Sequence, residues 1–239
     1  MTSESRTKPG RPRANAEKPV ATASSRDQIL DAAAALFSEA GFSGASTRAI
    51  ADRVGIRQQS LYYHFAGKDE ILAELLSSSV RPSIDFVESI EAMVPERLSP
   101  AGALFALASM DVLTLRRTPH NIGTLYLLPE IQDPRYDSFR NQRVQLQTIY
   151  GRLGVAAAHP DVASVITVER LGAILIQIVE VVIQLRRGAA ATDGAEDDST
   201  IAISCLRVLG LSTDEIESAR EEASEFTAAA VVASPAGRG

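Results

Sequence analysis

The sequence contains no tryptophan, one cysteine and three histidines, and aromatic residues make up only 5% of its 239 positions. Each scarcity closes off a class of protein. The lone thiol, Cys205, cannot form an internal disulfide, which fits a reducing compartment and makes the cytoplasm the expected location. His64, His120 and His159 are scattered, and the chain has no glycine-rich phosphate loop and no serine in a nucleophile elbow. No enzyme class, metal or organic cofactor is therefore indicated. The most apolar stretch, residues 171–185, is broken by Gln177, Glu180 and Gln184. It falls short of the roughly 20 apolar residues of a membrane span and reads as a buried helix. No basic segment runs into an apolar one near residue 1, so no secretory signal is expected. With few rings and little β-branched alternation, buried surface is expected to be helix against helix, and the fold all-α.

Hydrophobic residues at 45% and charged residues at 23% are enough for a globular core of one large or two modest domains. The formal net charge of −6 argues against nucleic acid until it is divided along the chain. Residues 1–70 carry ten Lys or Arg against eight acids, and residues 71–239 carry fourteen against twenty-two. That asymmetry suits a nucleic-acid module joined to an acidic body.

Residues 1–24 lack helical periodicity and are basic through Arg6, Lys8, Arg11, Arg13 and Lys18, so this segment is expected to be a flexible arm. Its Pro9-Gly10-Arg11-Pro12-Arg13 run either enters a minor groove or is a solvated tail. A capping box at Ser25-Arg26-Asp27-Gln28 opens a first helix that ends at Gly41, and Ser46 or Thr47 caps a second running to Val54. A third is expected over 57–64, and a fourth starts at Gly67-Lys68 and is kinked or ended near Val80 by Pro82. Further helices are expected over 100–117, 121–128, 134–153, 162–187, 200–209 and 213–230, with a flexible connection over 188–198.

Within 48–65 the spacing has a mechanical reading. Two short helices meeting steeply need a small residue at the crossing, a glycine in the turn and apolar inner faces, and Ala51, Gly55 and Leu61 supply these. A hairpin without DNA contact has the same needs, so the outward residues decide. Arg57, Gln58, Gln59, Ser60, Tyr62, Tyr63 and His64 form a run of donors, acceptors and amphipathic rings suited to base edges and phosphates. One such reading helix gives little affinity, so a twofold dimer on a palindromic site is expected. The candidate dimer surface is the stripe Leu171, Leu175, Ile178, Val182 and Leu185 with Leu206 and Leu209, for which ordinary core is the competing reading. Gln177, Glu180 and Gln184 share a face that meets solvent, a partner or a polar ligand.

Thr47-Arg48-Ala49-Ile50-Ala51, Val54-Gly55-Ile56, Ser60-Leu61-Tyr62-Tyr63-His64-Phe65 and Gly67-Lys68-Asp69-Glu70-Ile71-Leu72 together resemble the TetR family DNA-binding domain, without gaps over about 25–75. The resemblance implies a helix-turn-helix DNA-binding domain at 25–70 and a helical-bundle ligand-binding and dimerisation domain at 71–239. It implies that Arg48 and Gln58 read bases, with Arg57 near them. Gln59 and Tyr62 would pack on bases, and Thr47, Ser60, Tyr63, His64 and Lys68 would hold phosphates. Tyr62, Tyr63 and His64 also have structural readings, as core rings or a hydrogen bonder. The function implied is a homodimeric regulator, more often a repressor, released from double-stranded DNA by an unidentified small molecule. Control by a protein partner, or activation, are the alternatives, and a helical enzyme is a remote one. Candidate ligand-lining residues are Phe86, Phe105, Met110, Leu113, His120, Tyr126, Tyr150 and Gln177, each with plain core as its competing reading.

Overall fold

The structure, a computed structural model, describes residues 24–93, 98–117, 119–188 and 199–233. The basic arm, all but its last residue, and most of the connection at 188–198 lie outside the described residues. Among the described residues every regular element is helical: α1 (Ser25–Gly44), α2 (Thr47–Val54), α3 (Gln58–His64), α4 (Lys68–Met93), α5 (Pro100–Arg117), α6 (Asp137–Ala157), α7 (Pro160–Ala163), α8 (Val168–Gly188), α9 (Ser199–Arg207) and α10 (Thr213–Ala233). Residues 119–136 form three 3-10 segments between α5 and α6. No described helix is long and apolar enough to cross a membrane.

Local chemistry sets most of the boundaries. The capping box of α1 lies one residue earlier than expected: Ser24 Oγ accepts from Asp27 N–H, and Asp27 Oδ2 accepts from Ser24 N–H at 3.2 Å. Gly41, at φ 74°, kinks the last turn of α1, which closes three residues later than expected. Ser46 caps α2, accepting from Ala49 N–H at 3.1 Å, and Gly55 ends it in the left-handed region at φ 80°. Ser99 and the reciprocal pair Ser212 and Glu215 cap α5 and α10 as their sequences suggest.

Three expectations are corrected. Pro82 does not end α4 near Val80: it stands inside the helix, which runs on to Met93, with its own ring exposed. The helix expected over 162–187 is two: the chain turns at 164–167 and restarts where the Thr167 carbonyl accepts from Leu171 N–H at 2.9 Å. The expected helix at 121–128 is 3-10, and it starts with His120 and Asn121 at φ 62° and 47°.

The small three-helix head closes on Ile29, Ala33, Phe37, Ile50, Ala51, Leu61 and Phe65. In the body α5 is central, touching α4, α6, α8, α9 and α10, and residues 102–108 on it are all buried. α6 and α8 approach closely through glycines: a Cβ on Gly172 would lie 2.1 Å from the Gln147 carbonyl oxygen, and one on Gly151 2.0 Å from that of Val168. α4 belongs to both units, beginning beside α3 and ending in the body.

Candidate nucleic-acid interface and body cavity

The head presents its polar side chains outward. Leu61 alone in α3 is buried, while Gln58, Gln59, Ser60, Tyr62 and Tyr63 are exposed, as is Arg57 at its N-cap. Tyr63 is 87% exposed and Tyr62 50%, so neither ring serves as core. The Arg48 side chain is 82% exposed in the first turn of α2, its carboxylate neighbour Asp52 no closer than 3.9 Å. Thr47, Gln58 and Tyr62 form a closed triangle across the α2–α3 junction. Gln58 Nε2 donates to Thr47 Oγ1 at 3.0 Å and to Tyr62 Oη at 3.4 Å, and the two hydroxyls are 3.2 Å apart. The amide is thereby held with both donors engaged and Oε1 unengaged by them, an acceptor suited to a base amino group.

Two predicted contact residues also have internal ties. Lys68 Nζ donates to the carbonyl of Phe42 at 3.0 Å and sits 4.3 Å from the centre of its ring, which pins the α1–α2 turn. His64 is half-buried: its ring meets Tyr63 edge to face, and its carbonyl accepts from Arg26 Nη1 at 2.8 Å. Arg26 also grips Glu74 of α4 through Nε and Nη2 and lies over the Phe65 ring, fixing the end of α3 against α4.

The body divides the eight predicted ligand-lining residues. Phe86, Phe105, Met110 and Leu113 converge on one cavity of ≈ 650 Å³ between α4, α5 and α10. The other four do not line it. Tyr150 is buried on the opposite side of α5, and its hydroxyl donates to Asp111 Oδ2 at 2.7 Å. Asp111 also accepts from Ser83, and burial, outweighing both hydrogen bonds, pushes its carboxyl up to about 6. Tyr126 donates to Ser79 at 2.7 Å under the guanidinium of Arg143, which pairs with Glu180. Gln177 is exposed and donates to Glu180 at 2.9 Å. His120 lies at the junction with the head. These four lie outside that cavity, in the polar core, at the head junction or on the surface.

The expected dimer stripe is likewise redistributed. Leu171, Leu175 and Val182 of α8 are at most 2% exposed, as are Leu206 of α9 and Leu209 just beyond it, because α8 packs on this chain's own α5, α6 and α9. The apolar face left open on α8 keeps Ile178 and Leu185 of that stripe and adds residues beside it. It comprises Ala173, Ile174, Ile178 and Val181 with Leu185 beyond, bordered by Arg170 and Gln177.

On this geometry the comparisons with known proteins bear directly. The family model for bacterial regulatory proteins, tetR family, matches residues 29–75, the head and the start of α4. The HTH-type transcriptional repressor KstR2 of Mycobacterium tuberculosis is 49% identical over 53 residues, 22% of this chain; the match spans about a quarter, 26%, of that repressor's length. The crystal structure of Mycobacterium smegmatis AmtR extends the likeness to the body: 35% identity, TM-score 0.73, 91% of this chain and 98% of that one. The chain belongs to the TetR family of transcriptional regulators. AibR, solved with isovaleryl coenzyme A and operator DNA, shares the fold at 17% identity and TM-score 0.58, over 77% of this chain and 96% of its own.

In this TetR-family chain the head is tied to the body at residues that sequence reasoning missed. Asp69, at the start of α4, accepts from the Tyr136 hydroxyl at 3.1 Å and pairs with Arg135 at 3.0 Å. On the other side His120 Nε2 lies 3.0 Å from Asp31 Oδ1 of α1, the His120 carbonyl accepts from Ser38, and Asn121 Nδ2 donates to the Ile183 carbonyl of α8 at 3.0 Å. One signal was available for this turn. Pro119-His120-Asn121 combines a helix breaker with two residue types enriched in the left-handed region among non-glycine residues. The pairings over long sequence separation left no such signal.

Proposed function

We propose that this TetR-family regulator is a homodimeric repressor that binds a palindromic operator and is released by a small molecule. The observation that carries the reading is the exposed polar face of α3, with Arg48 beside it, on a head that turns Ile29, Phe37, Ile50, Leu61 and Phe65 inward. Arg48 and Gln58 read bases, with Arg57 near them; Gln59 and Tyr62 lie on bases; Thr47, Ser60, Tyr63, His64 and Lys68 meet phosphates. Residues 25–70 act as the DNA-binding domain and 71–239 as the ligand-binding and dimerisation domain. The open α8 face from Ile174 to Leu185 pairs with the same face of a second copy, giving the two reading helices that one half-site each requires. The chain has no catalytic role and works in the cytoplasm.

Release follows from where α4 runs. It starts at Lys68 against α3 and carries Phe86 into the wall of the 650 Å³ cavity. A ligand that fits one setting of α4 better than the other shifts the spacing of the two α3 helices by as much as its differential affinity allows. Selection of bound DNA from random sequence with the full chain tests the reading: a palindrome is expected, and no enriched palindrome would overturn it. Fractionated cell extract distinguishes the inducer. An activity that survives heat and passes a filter is the small molecule; one that does neither is a protein partner.

A further inference from the structure

Resting on the inducer reading of the body cavity, the lining allows the ligand's chemistry to be narrowed. Six of the ten lining residues are apolar: Phe86, Phe105, Ala106, Met110, Leu113 and Ala223. Ser109, Ser199 and Ser224 add hydroxyls, and among the described residues the one ionic side chain in the wall is Arg220 of α10. Among the described residues no carboxylate lines it. The volume lies within the roughly 300–1,000 Å³ of small-molecule sites, and a thioether beside two phenyl rings lets the apolar wall adapt to the shape it meets.

Arg220 is weakly held where it stands. Its Nη1 is 3.6 Å from Glu217 Oε2, one turn back on the same helix, with the two side chains 49% and 58% exposed. An exposed pair at that distance contributes little and is readily exchanged for a better acceptor. A guanidinium offers two parallel donors to a planar acid group, which Glu217 does not engage here, and a partly closed apolar site strengthens that bond relative to water. A cationic ligand would meet the like charge of Arg220. We propose that this cavity takes a small organic monoanion with an apolar body, an alkyl or aryl carboxylate, its acid group held by Arg220 and its body lying between Phe86, Phe105 and Met110.

The test uses three ligands of one chain length: octanoate, 1-octanol and octylammonium. Each is titrated calorimetrically into the full chain and into Arg220→Gln. In parallel, Met110→Trp introduces the only indole of the chain at the cavity wall, so its emission reports occupancy of this site and no other. Octanoate is expected to bind saturably, about tenfold or more tighter than the alcohol, the scale of one charged hydrogen bond. Arg220→Gln should erase that preference while leaving 1-octanol binding unchanged, and the indole emission should shift with the same midpoint as the heat. Equal binding of all three ligands, a carboxylate preference that survives Arg220→Gln, or no saturable signal at the indole would each overturn the proposal. Operator release keeps this apart from the inducer reading. Octanoate that binds without releasing operator leaves the anion site standing and removes its role as inducer site; 1-octanol that releases operator where octanoate does not does the reverse.

Discussion

The head and the body place their polar groups in opposite ways. On α2 and α3 they stand in solvent: Arg48, Arg57, Gln58, Gln59, Ser60 and Tyr63 surround one inward residue of α3, Leu61. In the body the defining polar groups are inside: Ser83 and Tyr150 both donate to a buried Asp111, and Arg143 with Glu180 closes the next layer. The head is a small core whose surface does the work. The body is a large core whose interior polar groups settle how α4, α5, α6 and α8 fit together. A polar residue therefore carries a different meaning on the two sides of α4, and the same kind of substitution should fail differently in each.

The largest effect is expected on the open α8 face. Val181→Asp places a charge in the proposed twofold contact, and one head alone retains little affinity. Operator affinity should fall by on the order of a hundredfold or more, with monomers in sedimentation. A dimer that survives would move the interface elsewhere. Next, Gly172→Ala drives a methyl into the Gln147 carbonyl. Overpacking against backbone should cost about 3 kcal/mol or more in chemical denaturation, whereas alanine on an exposed α3 position should cost almost nothing.

The buried acid gives a pH signature of similar size. The Asp111 carboxyl is raised by burial from 3.8 to about 6, so the folded chain holds a proton that the unfolded chain has released across that window. Its contribution is fully present below about pH 4 and is lost as pH rises through 6, a change on the order of 3 kcal/mol. Asp111→Asn should flatten that part of the stability profile between pH 4 and 7. An unchanged profile would mean that the carboxyl is not the group responsible.

In the head the expected losses are of binding and not of fold. Arg48→Ala should cost about 1–3 kcal/mol of operator affinity and relax preference at one base pair, with the melting temperature unmoved. A matching fall in melting temperature would make Arg48 structural and weaken the contrast between the two units. The smallest effect sharpens the contrast most. Tyr62→Phe removes one acceptor from the Gln58 amide, so preference for a base amino group should weaken at a single position, at a cost of about 1 kcal/mol in bound-site selection. If the wild-type preference is for guanine or thymine instead, the amide presents its NH2 outward and the triangle is reversed.

The helical architecture was legible because its determinants are local. Ser46, Gly55, Ser99 and Ser212 act within a turn of themselves, and Ala51, Gly55 and Leu61 announce the steep α2–α3 crossing by type and spacing. The exposed polar face of α3 was legible for a related reason: a seven-residue helix with one buried residue leaves its other side chains outside. The α8 face was not. A helix buried on most sides is apolar almost all round, so periodicity points to a stripe without saying which part of it faces the chain's own α6. The same ambiguity split the eight ligand-lining candidates, four to the cavity and four elsewhere, since an aromatic ring in a core and one in a cavity wall are written alike.

What the sequence by itself determined is the all-helical fold, the helix-turn-helix and the chemical character of α3, each resting on interactions within a few residues. Only the tertiary structure decided that Pro82 sits where a helix tolerates it, that Asp111 is inside, that Arg220 reaches the cavity wall and that Ile174, Val181 and Leu185 remain uncovered. Those outcomes depend on which helix faces which across separations of tens to more than a hundred residues, and packing of that range leaves no periodic trace in the chain that produces it.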